Sequence, residues 1–365
     1  MPMERTRSIY PEVRERLEKG EPLALATIIE TSGSTPQIPG ASALFGAAGL
    51  ILGTLGGGVL EGEAGRRAGV CLRNTRSLFF RFELRGQDLA QEEPVCGGEA
   101  SVLIDGVPGS HLEVLRAMAE SLGARRRGVL ATLASVGPAG EADIRRFWLE
   151  EGQGQTSPPG LGAPFGVDEI RKAASGGEPV VLWPAKNGEP PAEFCFLEPL
   201  APLPRLVVAG AGHIGRAVAR LAARLDFEVT VVDDRPDYVS VERFPEADRL
   251  LVGSPGPALR EFPIDEDTYI VIVTRGHRDD ADALRASIRS PAAYIGMIGS
   301  RSKISLTRER LIREGWASAE EFDRVHSPIG LSIGSRTVEE IAVSIAAELV
   351  QVRSRRSPRT GPAGK

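Results

Sequence analysis

RLVVAGAGHIGRAVARLAARL, residues 205–225, is the stretch whose reading decides the fold of the C-terminal half. Arg205 to Ala209 form an aliphatic run of strand length, and from His213 onward the apolar residues recur at helical spacing. Between the two, Gly210-Ala-Gly212-His213-Ile-Gly215 fits G-x-G-x-x-G. The first glycine makes the turn, the second admits a pyrophosphate, and the third lets the helix meet the sheet. The helix start then offers unpaired N–H groups and the positive end of a dipole to an anion. Asp233 and Asp234 end the next strand-like run, EVTVVDD, about 20 residues on, where a carboxylate accepts hydrogen bonds from a ribose diol and disfavours a 2′-phosphate. A turn that keeps its glycines for packing alone, with no ligand, is the plain alternative.

Working outward, RLLVG, YIVIVT and AYIGMIG read as further strands, and DADALRASI, RSKISLTRERLIREG and TVEEIAVSIAAELVQV as helices. Such alternation predicts a parallel sheet with crossover helices, a Rossmann-like domain over 205–352. Ligands of open α/β sheets sit beyond the carboxyl ends of the strands. Arg275 and His277 follow YIVIVT, and Ser300 and Arg301 follow AYIGMIG, so with His213 they are expected to share one crevice with the glycines. Taken singly, each reads equally well as a surface residue, and Ser300 as a helix N-cap. Thr337 and Glu340 fit a capping box.

Upstream, PEVRERLEK reads as a short helix, and Leu23 to Ile29, ASALF, LILGTL, SLFFRFEL and ASVLID as strands. Gly56-Gly57-Gly58, followed by Glu61, opens a helix and resembles an anion-binding nest, with a packing turn as the alternative. An N-terminal α/β domain over 1–108 is therefore expected, completed by a less distinctive middle segment, 109–198. A Pro-rich linker, 199–204, precedes the Rossmann-like domain, and residues 353–365 read as a disordered tail. Cys96, beside Gly97 and Gly98, is either a reachable thiol or a buried inert one, whereas Cys71 and Cys195 sit in apolar runs and read as core.

Composition narrows the function. The net charge is −5 with no basic stripe, which argues against a nucleic-acid partner. No apolar run reaches the roughly 18 residues of a membrane span, and no signal peptide is visible, so the cytoplasm is the expected location. Three cysteines and four histidines are too few and too scattered for a disulfide framework or a histidine-rich metal site. No Ser/His/Asp order, H-E-x-x-H, Walker A or Cys-x-x-Cys pattern occurs, so no catalytic residue is assigned.

Taken together, GSTPQIPGA, GTLGGGVLEGE and VCGGE near the N-terminus, with VVAGAGHIGRAVA, VTVVDDRPDY, VTRGHRDD, YIGMIGSRSK and HSPIGLSIGSRTVEEIAVSIAAELV, resemble the XdhC/CoxI family of xanthine dehydrogenase accessory factors. The resemblance implies a chaperone that binds the molybdenum cofactor (molybdopterin), supports its sulfuration by a cysteine desulfurase, and inserts it into a molybdenum hydroxylase apoenzyme. It places the family cysteine on Cys96, with Gly97 beside it, and the glycine and histidine positions on Gly210, Gly212, His213 and Gly215. A homodimer is a further expectation. Gln37, Ser332 and Val338 depart from the family pattern, which has a basic residue, an Asp and a Pro there.

Two other readings follow from the residues. An NAD(P)-dependent oxidoreductase would use the glycine loop and Asp233, with His213 or His277 as its acid. A nucleotide-responsive regulator would dock on a partner without turnover.

Overall fold

A computed structural model describes residues 8–83, 98–152, 165–184 and 193–356. The chain divides into two compact units, one over Ser8–Pro202 and the other from Leu203 onward. The N-terminal unit runs α1 (Tyr10–Glu18), β1 (Ala24–Gly33), β2 (Ser42–Gly46), β3 (Gly49–Gly53), α2 (Gly58–Asn74), β4 (Ser77–Glu83), β5 (Gly98–Asp105), α3 (Leu112–Gly123), β6 (Gly128–Val136), β7 (Glu141–Glu150), α4 (Val167–Ala174), β8 (Val180–Leu182) and β9 (Glu193–Leu200). Among the described residues these strands make one antiparallel sheet in the order β3-β2-β1-β5-β4-β7-β6-β9-β8.

Leu60, Ala64, Ala68 and Cys71 recur at helical spacing and bury one stripe of α2 on β1, β2 and β5. Their small size lets the helix lie close to the sheet, with Gly65 against the Phe45 ring. Cys71 and Cys195 are both buried. Burial pushes the Cys71 thiol pKa up and that of Cys195 up to about 12, so both are inert core.

The sheet interior also holds ionisable groups. Asp105 takes Arg146 at 3.3 Å and His111 at 3.4 Å, and the Tyr10 hydroxyl donates to Glu198 at 2.6 Å. Burial pushes the Asp105 carboxyl up, but Arg146 and His111 outweigh it and hold the group below its ordinary value.

Pro199 and Leu200, expected in a linker, extend β9 and pair with Val129 and Gly128. On its other side β9 meets β8 only over Cys195–Leu197, so the N–H that Pro199 lacks is not missed there.

The C-terminal unit runs β10 (Arg205–Ala209), α5 (His213–Arg224), β11 (Glu228–Asp233), β12 (Arg249–Val252), α6 (Pro255–Glu261), β13 (Thr268–Ile272), α7 (His277–Ser287), β14 (Tyr294–Met297), α8 (Arg301–Arg313), α9 (Ala319–Asp323) and α10 (Val338–Arg356). Its sheet has the order β12-β11-β10-β13-β14, all parallel, which is the expected Rossmann-like arrangement.

Side chains alternate between the two faces. Leu206, Val208, Val229 and Val231 pack against α5 and α10, while Val207, Ala209, Ile270 and Ile272 pack with residues of α6, α7 and α8. Strand order reverses beside β10, so the crevice of the topological switch point opens at its carboxyl end. Helix α10 continues to Arg356, beyond the expected end at 352. The Arg353 guanidinium anchors this last turn by donating to the Leu225 carbonyl and lying over the Phe227 ring. Among the described residues no helix is long and apolar enough to cross a membrane.

Candidate functional site

The glycine loop leaves β10 at Gly210, whose φ of +122° only glycine adopts readily. A side chain there would overlap the Val273 carbonyl, and one at Gly215 would overlap the Gly210 carbonyl. Both glycines are therefore required by packing. Gly212 differs. It stands at the N-cap of α5 in extended backbone, and a methyl on it would meet nothing within 4 Å. No side chain caps the helix start. The start of α5 thus has no side-chain cap and no crowding at Gly212, features compatible with an anion at a helix N-terminus.

Asp233 is buried at the end of β11 and fully engaged. Its Oδ2 accepts from the Ala211 N–H at 2.8 Å and from Arg235 Nη2 at 2.9 Å; Oδ1 accepts from Arg235 Nε at 2.8 Å and from the Arg235 N–H at 3.1 Å. Burial pushes this carboxyl upward, but the Arg235 fork and the two backbone donors prevail and hold it well below the usual carboxylate range. The expected ribose acceptor therefore already has internal donors on both oxygens.

Arg235 lies over the Tyr238 ring at 3.6 Å, and Arg243 at 4.6 Å. Sequence reasoning missed this cluster, although the run Arg235-Pro236-Asp237-Tyr238 directly after Asp234 was its signal.

Beyond β13 the Thr274 hydroxyl donates to Asp280 of α7 at 2.6 Å, which fixes the turn before that helix. Arg275 reaches across to Asp234 at 2.8 and 2.9 Å, joining the ends of β13 and β11. His277 is the first residue of α7. Ser300 occupies the N-cap position of α8, but its hydroxyl pairs with Ser302 at 3.2 Å and makes no capping bond. Arg301 begins that helix and is exposed, as is His213 at the start of α5. The glycines, His213, Asp233, Arg275, Ser300 and Arg301 thus all stand at the carboxyl ends of the strands.

The loop 326–334 is held from below by Glu348 of α10. That carboxylate accepts from the Tyr294 hydroxyl at 2.6 Å and the Gly330 N–H at 2.8 Å, and lies 3.1 Å from His326 Nδ1. The expected capping box is present, with Glu340 N–H donating to the Thr337 hydroxyl and the Thr337 N–H to Glu340.

In the N-terminal unit the N–H groups of Leu55 and Gly57 converge, with the Thr54 hydroxyl, on one oxygen of Glu61. The anion at this nest is the chain's own carboxylate. Gly56 and Gly58, both with positive φ, shape the turn, and Gly56 packs on Pro36. Gly98 lies so close to the Ser34 carbonyl that no side chain fits. The motifs around Ser34, Gly56 and Gly98 therefore meet at one end of the sheet. Cys96 and Gly97 lie outside the described residues. Among the described residues no group of three or more His, Cys, Asp or Glu could hold a metal ion.

Comparison with known proteins supports both units. Residues 206–349 match the XdhC Rossmann domain, and residues 16–83 match the XdhC and CoxI family. The chain is 28% identical over 344 residues to a Bacillus subtilis protein described as a probable xanthine dehydrogenase subunit, covering 93% of this chain and 96% of that one. Two Escherichia coli proteins match over 152 residues each. YqeB, an uncharacterised protein, is 39% identical, with the match spanning 41% of this chain and 28% of YqeB. The molybdenum cofactor insertion chaperone PaoD is 25% identical, with the match spanning 42% of this chain and 41% of PaoD. A crystal structure of a xanthine dehydrogenase from Bacillus halodurans superposes with a TM-score of 0.74 at 27% identity, covering 97% of this chain and 98% of that one. With the glycine-loop unit and the N-terminal motifs both accounted for, the chain belongs to the XdhC/CoxI family.

Proposed function

We propose that this protein is an accessory factor that carries the molybdenum cofactor and inserts it into a xanthine dehydrogenase-type molybdenum hydroxylase. The observation that carries the reading is the glycine turn at the uncapped start of α5: Gly210 and Gly215 are required by packing, whereas a methyl on Gly212 would meet nothing within 4 Å. A phosphate-bearing cofactor fits that donor set, because the N–H groups and dipole at the start of α5 favour negative charge. The names of the Bacillus subtilis relative and of PaoD point to the same chemistry.

In this reading the N–H groups at Gly212 and His213 hold the phosphate. Arg275, Ser300 and Arg301 stand at the ends of the neighbouring strands and orient the remainder of the cargo, and His277, whose side chain lies outside the described residues, is a further candidate. In the N-terminal unit Gly56, Gly57 and Gly58 shape a nest that Glu61 fills, and Cys96 with Gly97, outside the described residues, is the candidate for handling the sulfur that a cysteine desulfurase supplies. Release to an apoenzyme asks for exchangeable contacts, and a bare glycine cradle supplies them.

An NAD(P)-dependent oxidoreductase finds less support, since Asp233 already takes donors from Arg235 and Ala211. Mass spectrometry of ligand released from freshly purified protein, together with metal analysis, tests the proposal. A pterin with molybdenum is expected, and a Cys96→Ser variant should retain less of it. A nicotinamide nucleotide with substrate turnover would replace the proposal by the oxidoreductase.

A further inference from the structure

One groove of the C-terminal unit meets the site above at His213 and Arg243 and leads away from it along α5. A groove of about 710 Å³ runs beside α5, bounded by the first turns of α10 and the segment around Arg243 and Pro245. Arg216, Arg220 and Arg224 recur every fourth residue of α5 and line one rim. All three are exposed, and neither Arg216 nor Arg220 has an ion-pair partner among the described residues. Ala217, Leu221 and Val343 contribute apolar lining, and Val343 is 49% exposed. Glu246 and Glu339 are the acidic groups of the lining. The 12 residues of α5 make the groove about 18 Å long at roughly 1.5 Å per residue, enough for about three turns of a docked helix.

We propose that this groove docks an amphipathic, acidic helix of a partner protein, with apolar side chains on the Ala217–Leu221–Val343 floor and carboxylates toward Arg216 and Arg220. Two features select this occupant. The floor is apolar, which suits the helix-in-groove mode. The rim gathers cations on a chain whose net charge is −5, so the local charge is opposite to the overall one and favours an acidic guest. The inference does not depend on which cofactor the glycine loop receives.

Fluorescence anisotropy on the full chain tests it, using a synthetic helical peptide with leucine on one face and glutamate on its flanks, and a control peptide with lysine in place of glutamate. The acidic peptide is expected to bind, more weakly as salt rises. Arg216→Glu/Arg220→Glu should weaken it at least about tenfold, since two exposed pairs are lost and repulsion is added. The same variant should gain affinity for the lysine peptide. Val343→Asp, at an exposed position, should also weaken the acidic peptide, and circular dichroism checks that both variants are folded. Equal binding of the acidic peptide to wild type and the double-arginine variant overturns the proposal, as does equal binding of both peptides to wild type or no binding at all. Sedimentation showing a wild-type dimer that the double-arginine variant dissolves would make a second copy the occupant, and would overturn it too.

Discussion

In a Gly212→Ala variant the added methyl projects into open space, and the backbone there, at φ −70°, is one that alanine adopts without strain. Stability should hold or rise by about 0.4–1 kcal/mol, because alanine restricts the unfolded chain. At Gly215 the same methyl would overlap the Gly210 carbonyl, a backbone atom that cannot turn aside as a side chain would. Alanine's better helix propensity offsets up to about 1 kcal/mol of that. Overpacking of this kind costs about 1–3 kcal/mol or more, so a net loss near 2 kcal/mol is expected. For a unit of this size that lowers the melting midpoint by about 4–8 °C. Function should run the other way: Gly212→Ala fills the seat of the anion and should retain less than a tenth of the wild-type pterin and molybdenum. Calorimetry and metal analysis on the same preparations read both effects. A Gly212→Ala protein that keeps its cargo would refute the assignment of the glycine loop as the anion seat. One that melts as early as Gly215→Ala would refute the reading of that position as bare.

Glu348 sits below its ordinary carboxyl pKa, since burial, which raises it, is outweighed by His326, Tyr294 and the Gly330 N–H. Its contribution is therefore full above the unfolded value near pH ~4.3 and fades as pH falls through the folded one. Glu348→Ala leaves the Tyr294 hydroxyl and the Gly330 N–H without their acceptor and should cost about 1–3 kcal/mol at pH 7 in urea titrations, and the gap to wild type should shrink on acidification; a constant gap would contradict the sign. Glu61→Ala leaves the Leu55 and Gly57 donors without their carboxylate and should cost about 1 kcal/mol. Inorganic phosphate should then raise the midpoint of the variant more than that of wild type, and equal shifts would argue that Glu61 does not fill the nest.

Local pattern carried much of the C-terminal unit. The alternation in Arg205–Ala209 and Glu228–Asp233, with glycine at Gly210, Gly212 and Gly215, specifies strand, turn and helix within a few residues of one another. What stayed hidden depends on partners distant in sequence. That β4 meets β7 through Ser77 and Leu78 is a pairing no local window contains. The role of Glu61 was hidden differently: a glycine run advertises a nest, but whether the anion comes from outside or from the next helical turn is decided by side-chain reach. The capping role offered for Ser300 failed because its hydroxyl turns toward Ser302.

The fork between Arg235 and Asp233 separates two tasks that a glycine fingerprint usually combines. A sugar diol offered to β11 must displace a guanidinium already bound to the carboxylate through two nitrogens, and in doing so break a bidentate ion pair. A phosphate arriving at Gly212 meets no such rival. On the proposed reading the loop recognises the anionic end of a ligand and is indifferent to the sugar behind it, so that a pterin phosphate and a nucleotide would differ little at this position. On that reading selectivity between them lies elsewhere on the crevice, and chromatography on immobilised adenine dinucleotide would be a poor guide to the cargo.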